Sequence, residues 1–167
     1  MTATPSTIST PDLTPDLRHV PRGEGSAIWV AGDTYTFKAT GADTGGRLTV
    51  WEATVPPGAG PPPHVHLTQD EAYYLLEGEL EVLDGERRFT AHAGDFVFIP
   101  RGSVHRFRNV SHSASRMLLW MTPAGFEGFL FRVGQPARPG EQAPPLSAEE
   151  IARSVEIAHE YGMEIRI

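Results

Sequence analysis

The stretch Gly60–Leu80, "GPPPHVHLTQDEAYYLLEGEL", decides how the rest of the chain is read. His64 and His66 stand on alternate positions between a proline run and an apolar run, and Glu71 follows five residues after His66. Side chains of a strand alternate with a period of two, so both imidazoles face the same way. Two nitrogens on one face suit two adjacent vertices of a metal polyhedron. If the polar link Leu67–Asp70 is a turn, Glu71 opens the next strand and faces the same point. Alternation then carries Tyr73 and Leu75 inward with it. A His-x-His pair by itself more often marks a solvated pair than a ligand set, so its weight depends on the rest of the chain.

A second segment supplies that weight. "GDFVFIPRGSVHRFRN" (94–109) holds a third histidine, His105, opening an apolar-alternating strand. Pro100 fixes φ and Gly102 permits a tight bend, so "PRG" is a rigid corner that can aim the histidine after it. Around these two segments lie short runs rich in β-branched and aromatic residues: 27–31, 34–40, 48–55, 71–78, 79–83, 87–91, 95–100, 105–109 and 116–122. Gly-Asp and Gly-Gly pairs break them, and Asp84-Gly85 is read as a type I′ hairpin turn. Turns about ten residues apart indicate an all-β sandwich or barrel.

The two segments together resemble the paired motifs of the cupin superfamily. Gly58, His64-x-His66, Glu71 and Gly78 fall at the spacing of the first motif, and Gly94, Pro100-x-Gly102, His105 and Asn109 at that of the second. Fifteen residues separate Gly78 from Gly94, as in small bacterial single-domain cupins. Within the superfamily the chain looks most like the quercetin 2,3-dioxygenase-like proteins. "TPAGFEGFLFRVG" and the final helix ending in "YGMEI" share that likeness. The resemblance implies a double-stranded β-helix (the cupin jelly roll) with short C-terminal helices. It also implies metal ligands at His64, His66, Glu71 and His105, turn or corner roles for the glycines, Pro100 and Asn109, and pairing as a homodimer.

Three neutral imidazoles and one carboxylate on a divalent ion leave a formal charge of about +1 and open coordination positions. Such a centre favours an anionic bidentate oxygen ligand, such as an enolate, a diketone or a carboxylate. Glu71 is either a fourth fixed ligand or a base that takes a proton from a bound enol, the role the quercetinase resemblance implies for it. The expected activity is that of a metal-dependent dioxygenase acting on a small phenolic or enolic substrate with O₂. The alternative is a non-redox isomerase, decarboxylase or polyketide cyclase; a sensor module without catalysis ranks last. The ligand set accepts Fe, Mn, Ni, Co, Cu or Zn. Tyr73, Phe107, Met121 and Phe126 are the candidates for the substrate wall, and Trp51 faces either in or out. His19, His92, His112 and His159 lack matching partners and are assigned to the surface.

Composition sets the outer bounds. The 167 residues carry 14 basic and 21 acidic side chains, a formal charge of -7, with no basic stripe to meet phosphates, which argues against nucleic acid as a partner. No apolar run approaches a membrane span. The absence of cysteine removes disulfides, thiolate metal sites and cysteine nucleophiles. "MTATPSTISTPDLTPDLRHV" lacks the basic and apolar regions of a secretory signal, so the expected location is cytoplasmic. Residues 1–24, rich in Thr, Ser and Pro, are expected to form a flexible arm, 25–134 the β-barrel, and 135–167 a Pro-rich linker and helix. Apolar residues at 126, 129, 130 and 133 have helical spacing. Ser147 and Glu150 form a capping-box pattern ahead of an apolar face of Ile151, Val155, Ala158 and Tyr161, and Gly162 is the expected stop. This last helix is expected to pack outside the β body.

Overall fold

The computed structural model of the chain describes residues 16–166. Of the expected N-terminal arm, residues 1–15 lie outside the described residues. The part that follows rests on the body: the Arg18 guanidinium donates to Lys38 O (2.8 Å) and to the Asp43 carboxylate (2.7 Å).

Each β-rich run of the sequence becomes a strand within a residue or two. The first half contains β1 (Ala27–Val30), β2 (Asp33–Ala39), the short helix α1 (Gly41–Thr44), β3 (Thr49–Val55), β4 (His64–His66) and β5 (Asp70–Glu77). Next come β6 (Glu79–Asp84), β7 (Arg87–His92), β8 (Phe96–Ile99), β9 (Val104–Arg108) and β10 (Ser115–Thr122). The C-terminal part adds helix α2 (Glu127–Val133), β11 (Gln135–Pro136), helix α3 (Ala148–Ala158) and β12 (Met163–Ile165).

The strands form two antiparallel sheets that face each other as a jelly roll. Seven strands run in the order β11-β1-β2-β3-β10-β5-β8, and five in the order β12-β4-β9-β6-β7. The alternation expected of half-buried strands is clean in β3, where Thr49, Trp51, Ala53 and Val55 are buried and the residues between them are not. β10 repeats it with Met117, Leu119 and Met121. These side chains meet Leu75, Leu80, Val82 and Phe107 in one core between the sheets. Each fully buried Leu or Met contributes about 1.5–3 kcal/mol.

Four details depart from the sequence reading. Across the β6–β7 turn, where Asp84 pairs with Arg87, only Gly85 has a positive φ (60°), the pattern of a type II′ turn rather than I′. The type I′ pattern occurs instead between β1 and β2, where Ala31 (φ 55°) and Gly32 (φ 85°) separate the paired Val30 and Asp33. The Ser147 hydroxyl caps α3 by accepting Glu150 N–H (3.1 Å), but the Glu150 carboxylate does not close the capping box; it accepts Ala31 N–H at 2.7 Å. In the expected apolar face of α3, Val155 is exposed and Ile157 is buried in its place.

The C-terminus also does more than pack outside the body. Gly162 (φ 66°) ends the helical stretch as expected, and the next three residues, read as part of that ending, form β12. β12 pairs with β4, placing Met163 opposite His66 and Ile165 opposite His64. No helix among the described residues is long and apolar enough to cross a membrane.

Candidate metal centre

Both sheets contribute to the site. His64 and His66 project from β4, and His105 projects from β9, where it is the direct cross-strand partner of His64. Glu71 comes from β5 in the opposite sheet, paired with Met121 and Ile99. The centre therefore lies between the layers, and all four side chains are buried. Glu71 Oε2 is 3.2 Å from Nε2 of both His66 and His105. One donor atom from each of the four residues can be chosen so that all lie within 4.8 Å of one another. Neighbouring vertices of a polyhedron with bonds of about 2.0–2.2 Å are separated by about 3 Å, so the donor set fits one divalent ion.

The sequence around each histidine orients it. His64 Nδ1 lies 2.9 Å from Pro62 O, and His105 Nδ1 lies 3.0 Å from Ser103 O. A carbonyl oxygen only accepts, so each Nδ1 carries the hydrogen and each Nε2 presents its lone pair. The proline run thus supplies the carbonyl that sets the tautomer of the first ligand. His66 is held differently: its buried Nδ1 has no hydrogen-bond partner among the described residues, and its ring packs edge-on against Phe126 (4.5 Å, 82°).

The corner before His105 is tied down from two sides. Gly102 (φ 86°) donates its N–H to His66 O at 2.7 Å, linking the corner to β4. The Arg101 side chain makes a two-pronged contact with Asp70 at the start of β5 (3.0 and 2.8 Å), and Arg101 N–H adds a third bond at 2.9 Å. Those hydrogen bonds hold the Asp70 carboxyl down at about 2. Gly60, ahead of the histidines, is pressed against β9; a Cβ there would lie 2.4 Å from Phe107 O.

Burial, reinforced by the neighbouring His105 and His66, pushes the His64 imidazole down to about 3, which keeps it in the neutral, ligating form. For Glu71, burial opposes ionisation, but the His105 and His66 imidazoles outweigh it and hold the carboxyl below its ordinary range. Burial likewise opposes charge on His105, and the Glu71 carboxylate more than offsets it, so that imidazole is raised.

A cavity of about 650 Å³, counting its open mouth, reaches His64, His66 and Glu71. Of the expected wall residues, Phe107 and Phe126 line it, the latter stacked on Phe129 (5.2 Å). Tyr73 and Met121 do not: both are fully buried in the core behind the wall, Tyr73 packed edge-on against Phe107 (6.2 Å). Trp51 faces inward and lines the cavity beside Tyr35 (5.8 Å), which the sequence reading left out. The alternation of "TYTFKAT" places Tyr35 and Phe37 on one face and is the signal that would have found Tyr35. Glu150, Ile151 and Ser154 of α3 complete the wall, a contribution from the C-terminal part of the chain that no local pattern announces. His19, His92, His112 and His159 are exposed, as expected.

A cupin-domain family model matches residues 51–121, the span containing all four candidate ligands. Polyketide synthase CurC of Streptomyces cyaneus is 36% identical over 105 residues, which cover 60% of this chain and 68% of that protein. The chain belongs to the cupin superfamily. Quercetin 2,3-dioxygenase of Bacillus subtilis is 28% identical to this cupin over 114 residues, 68% of this chain but only 34% of that protein, so the chain spans about a third of that relative's length. The solved structure of the polyketide cyclase RemF from Streptomyces resistomycificus matches with a TM-score of 0.59 at 23% identity, covering 81% of this chain and 90% of that one. At that identity the match speaks for the fold alone.

Proposed function

We propose that this cupin is a metal-dependent dioxygenase acting on a small phenolic or enolic substrate. The observation that carries the reading is the placement of Glu71. Its carboxylate sits 3.2 Å from two imidazoles at the end of an aromatic-walled cavity, and those imidazoles favour its ionised form. An ionised carboxylate within reach of a bound enol or phenol accepts its proton. Phe107, Phe126 and Trp51 provide flat surfaces for a ring and keep water from the acidic hydroxyl. His64, His66 and His105 would hold a divalent transition metal together with Glu71; when bound, it supplies Lewis acidity and, if redox-active, one-electron chemistry.

A second reading, ring closure without oxidation, is favoured by the fuller coverage of CurC (68% of its length, against 34% for the quercetin dioxygenase). One experiment separates the two. Protein loaded in turn with Fe, Mn, Co, Ni, Cu or Zn is incubated with flavonols, β-diketones and a poly-β-ketone, with and without O₂. Oxygen uptake matched to substrate loss is expected. Turnover that persists without oxygen selects the second reading, and no oxygen uptake with any combination sinks the first.

The proposal includes a homodimer. Phe96 and Phe98 on the edge strand β8 and Tyr74 on the neighbouring β5 stand 40–57% exposed on the outer face of the larger sheet, and Trp120 stacks on Phe96 (5.8 Å). An exposed aromatic patch on a sheet edge favours association. Sedimentation is expected to give about twice the 18.2 kDa chain mass, falling to one chain in Phe96→Lys/Phe98→Lys. A single-chain mass for the unaltered protein at micromolar concentration would contradict it.

A further inference from the structure

The cavity has a second polar group, separate from the histidines and Glu71. It is built where the β1–β2 turn meets the first turn of α3. Ala31 occupies the left-handed region (φ 55°), a conformation unfavourable for a residue with a Cβ, and donates its N–H to Glu150 Oε1 at 2.7 Å. The bond joins residues 119 positions apart and fixes the Glu150 carboxylate against the turn. Glu150 Oε2 accepts no hydrogen bond among the described residues. Glu150, Ala31 and Tyr35 all line the cavity.

The same wall holds Tyr35, which pairs with a buried carboxyl. Asp33, fully buried, accepts from the Tyr35 hydroxyl at 3.3 Å, and its Oδ1 has no partner. Burial pushes the Asp33 carboxyl well up, towards the neutral form, with the Glu150 charge adding to the shift. The Tyr35 hydroxyl is committed to Asp33. Glu150 is therefore the carboxylate of this wall with acceptor capacity to spare, set among Val30, Leu130, Leu146 and Ile151. An acceptor held in an apolar wall is satisfied by water or by a donor on the ligand.

We propose that Glu150, held in place by the Ala31 N–H, is a specificity-determining residue that binds a second hydroxyl on the substrate, away from the group presented to the histidines and Glu71. The inference rests on the phenolic or enolic substrate proposed above and narrows it to ligands carrying a hydrogen-bond donor at their far end. The substrate class is thus a polyhydroxylated aromatic rather than a simple enol.

The test is binding, not turnover. Zinc-loaded protein, which has no redox chemistry, is titrated calorimetrically with two flavonols differing by one hydroxyl on the pendant phenyl ring, kaempferol and galangin. Kaempferol is expected to bind about tenfold more tightly, the effect of one hydrogen bond to a charged group. In Glu150→Gln the side-chain carbonyl keeps the Ala31 bond while the amide presents a donor to the cavity. The preference is expected to fall within about twofold, with zinc content and melting temperature unchanged. Equal binding of both flavonols by the unaltered protein, or an unchanged preference in Glu150→Gln, overturns this inference and leaves the broader phenolic or enolic reading standing. The preference without turnover under any metal supports it and counts against the proposed reaction. If neither flavonol binds, both fall.

Discussion

Replacing His105 with alanine is expected to strip the metal while leaving the β fold in place. Loss of a partner that merely orients a ligand costs roughly 10–100-fold in metal affinity, and loss of a ligand costs more. His105 also stands 3.2 Å from Glu71 Oε2, so its removal leaves the carboxylate with His66 as its only imidazole contact at that distance. The core between the sheets does not depend on it, and truncating a large buried side chain to alanine costs about 2–5 kcal/mol. Metal content by elemental analysis, with circular dichroism and urea unfolding of the same sample, checks both halves. Retained metal or a globally unfolded chain contradicts the expectation.

Acid should reproduce the metal loss without a mutation. A ligating imidazole is neutral, and the His105 pKa in the metal-free protein is raised. As pH falls through that raised value a proton competes with the metal, and affinity drops about tenfold per pH unit for each proton displaced. The sign for the metal-free fold is different. Raised His105 contributes stability that is complete below its ordinary value of 6.5 and is lost as pH rises through the raised one. Lowered Glu71 contributes stability complete above its ordinary 4.5 and lost as pH falls through the lowered value. The metal-free pair is thus most favourable between about pH 4.5 and 6.5, where the metal is already competing with protons.

What the sequence disclosed depended on whether the signal was local. His64, His66, Glu71 and His105 were legible because period-two alternation and two rigid corners fix their direction within a few residues. The strand pattern was legible for the same reason. β12 was not: three residues paired through backbone to β4 carry no periodicity of their own, and "MEI" following a helix reads as its end. Asp33 beside Gly32 looked like a polar turn residue, yet it is fully buried, because the tight β1–β2 turn directs it inward. Glu150 fitted a capping box, and only the packing of the start of α3 against the β1–β2 turn gives its carboxylate another partner. Tyr73 and Met121 show a subtler limit. Alternation correctly sends both inward, but it does not separate the cavity wall from the core behind it.

Asn109→Ala should destabilise the protein by about 3–4 kcal/mol, a large part of the 5–15 kcal/mol available to a domain of this size. The side chain is fully buried and uses all of its hydrogen-bonding capacity. Its amide donates to Val55 O and Ser113 O, each at 2.8 Å, and its Oδ1 accepts Ser111 N–H (2.9 Å) and the Ser111 hydroxyl (2.8 Å). Its backbone adds two more bonds, accepting Gly58 N–H (2.8 Å) and donating to Ala59 O (3.0 Å). Asn109 therefore joins the end of β3, the loop leading to the histidines and the β9–β10 connection at one point. Alanine keeps the backbone bonds but takes the side-chain donor from buried Val55 O and from Ser113 O, which retains the Ser111 hydroxyl (3.0 Å), and takes the acceptor from Ser111; a hydrogen bond lost at a buried group costs about 1–3 kcal/mol. Asn109→Asp separates this cause from packing. Aspartate has nearly the same shape, but an ionised carboxylate facing Val55 O and Ser113 O replaces two attractions with two repulsions. It is expected to be at least as destabilising as alanine at neutral pH, measured by urea unfolding of the metal-free protein. If Asn109→Asp were tolerated while Asn109→Ala was not, shape rather than hydrogen bonding would be the reason for asparagine at this corner.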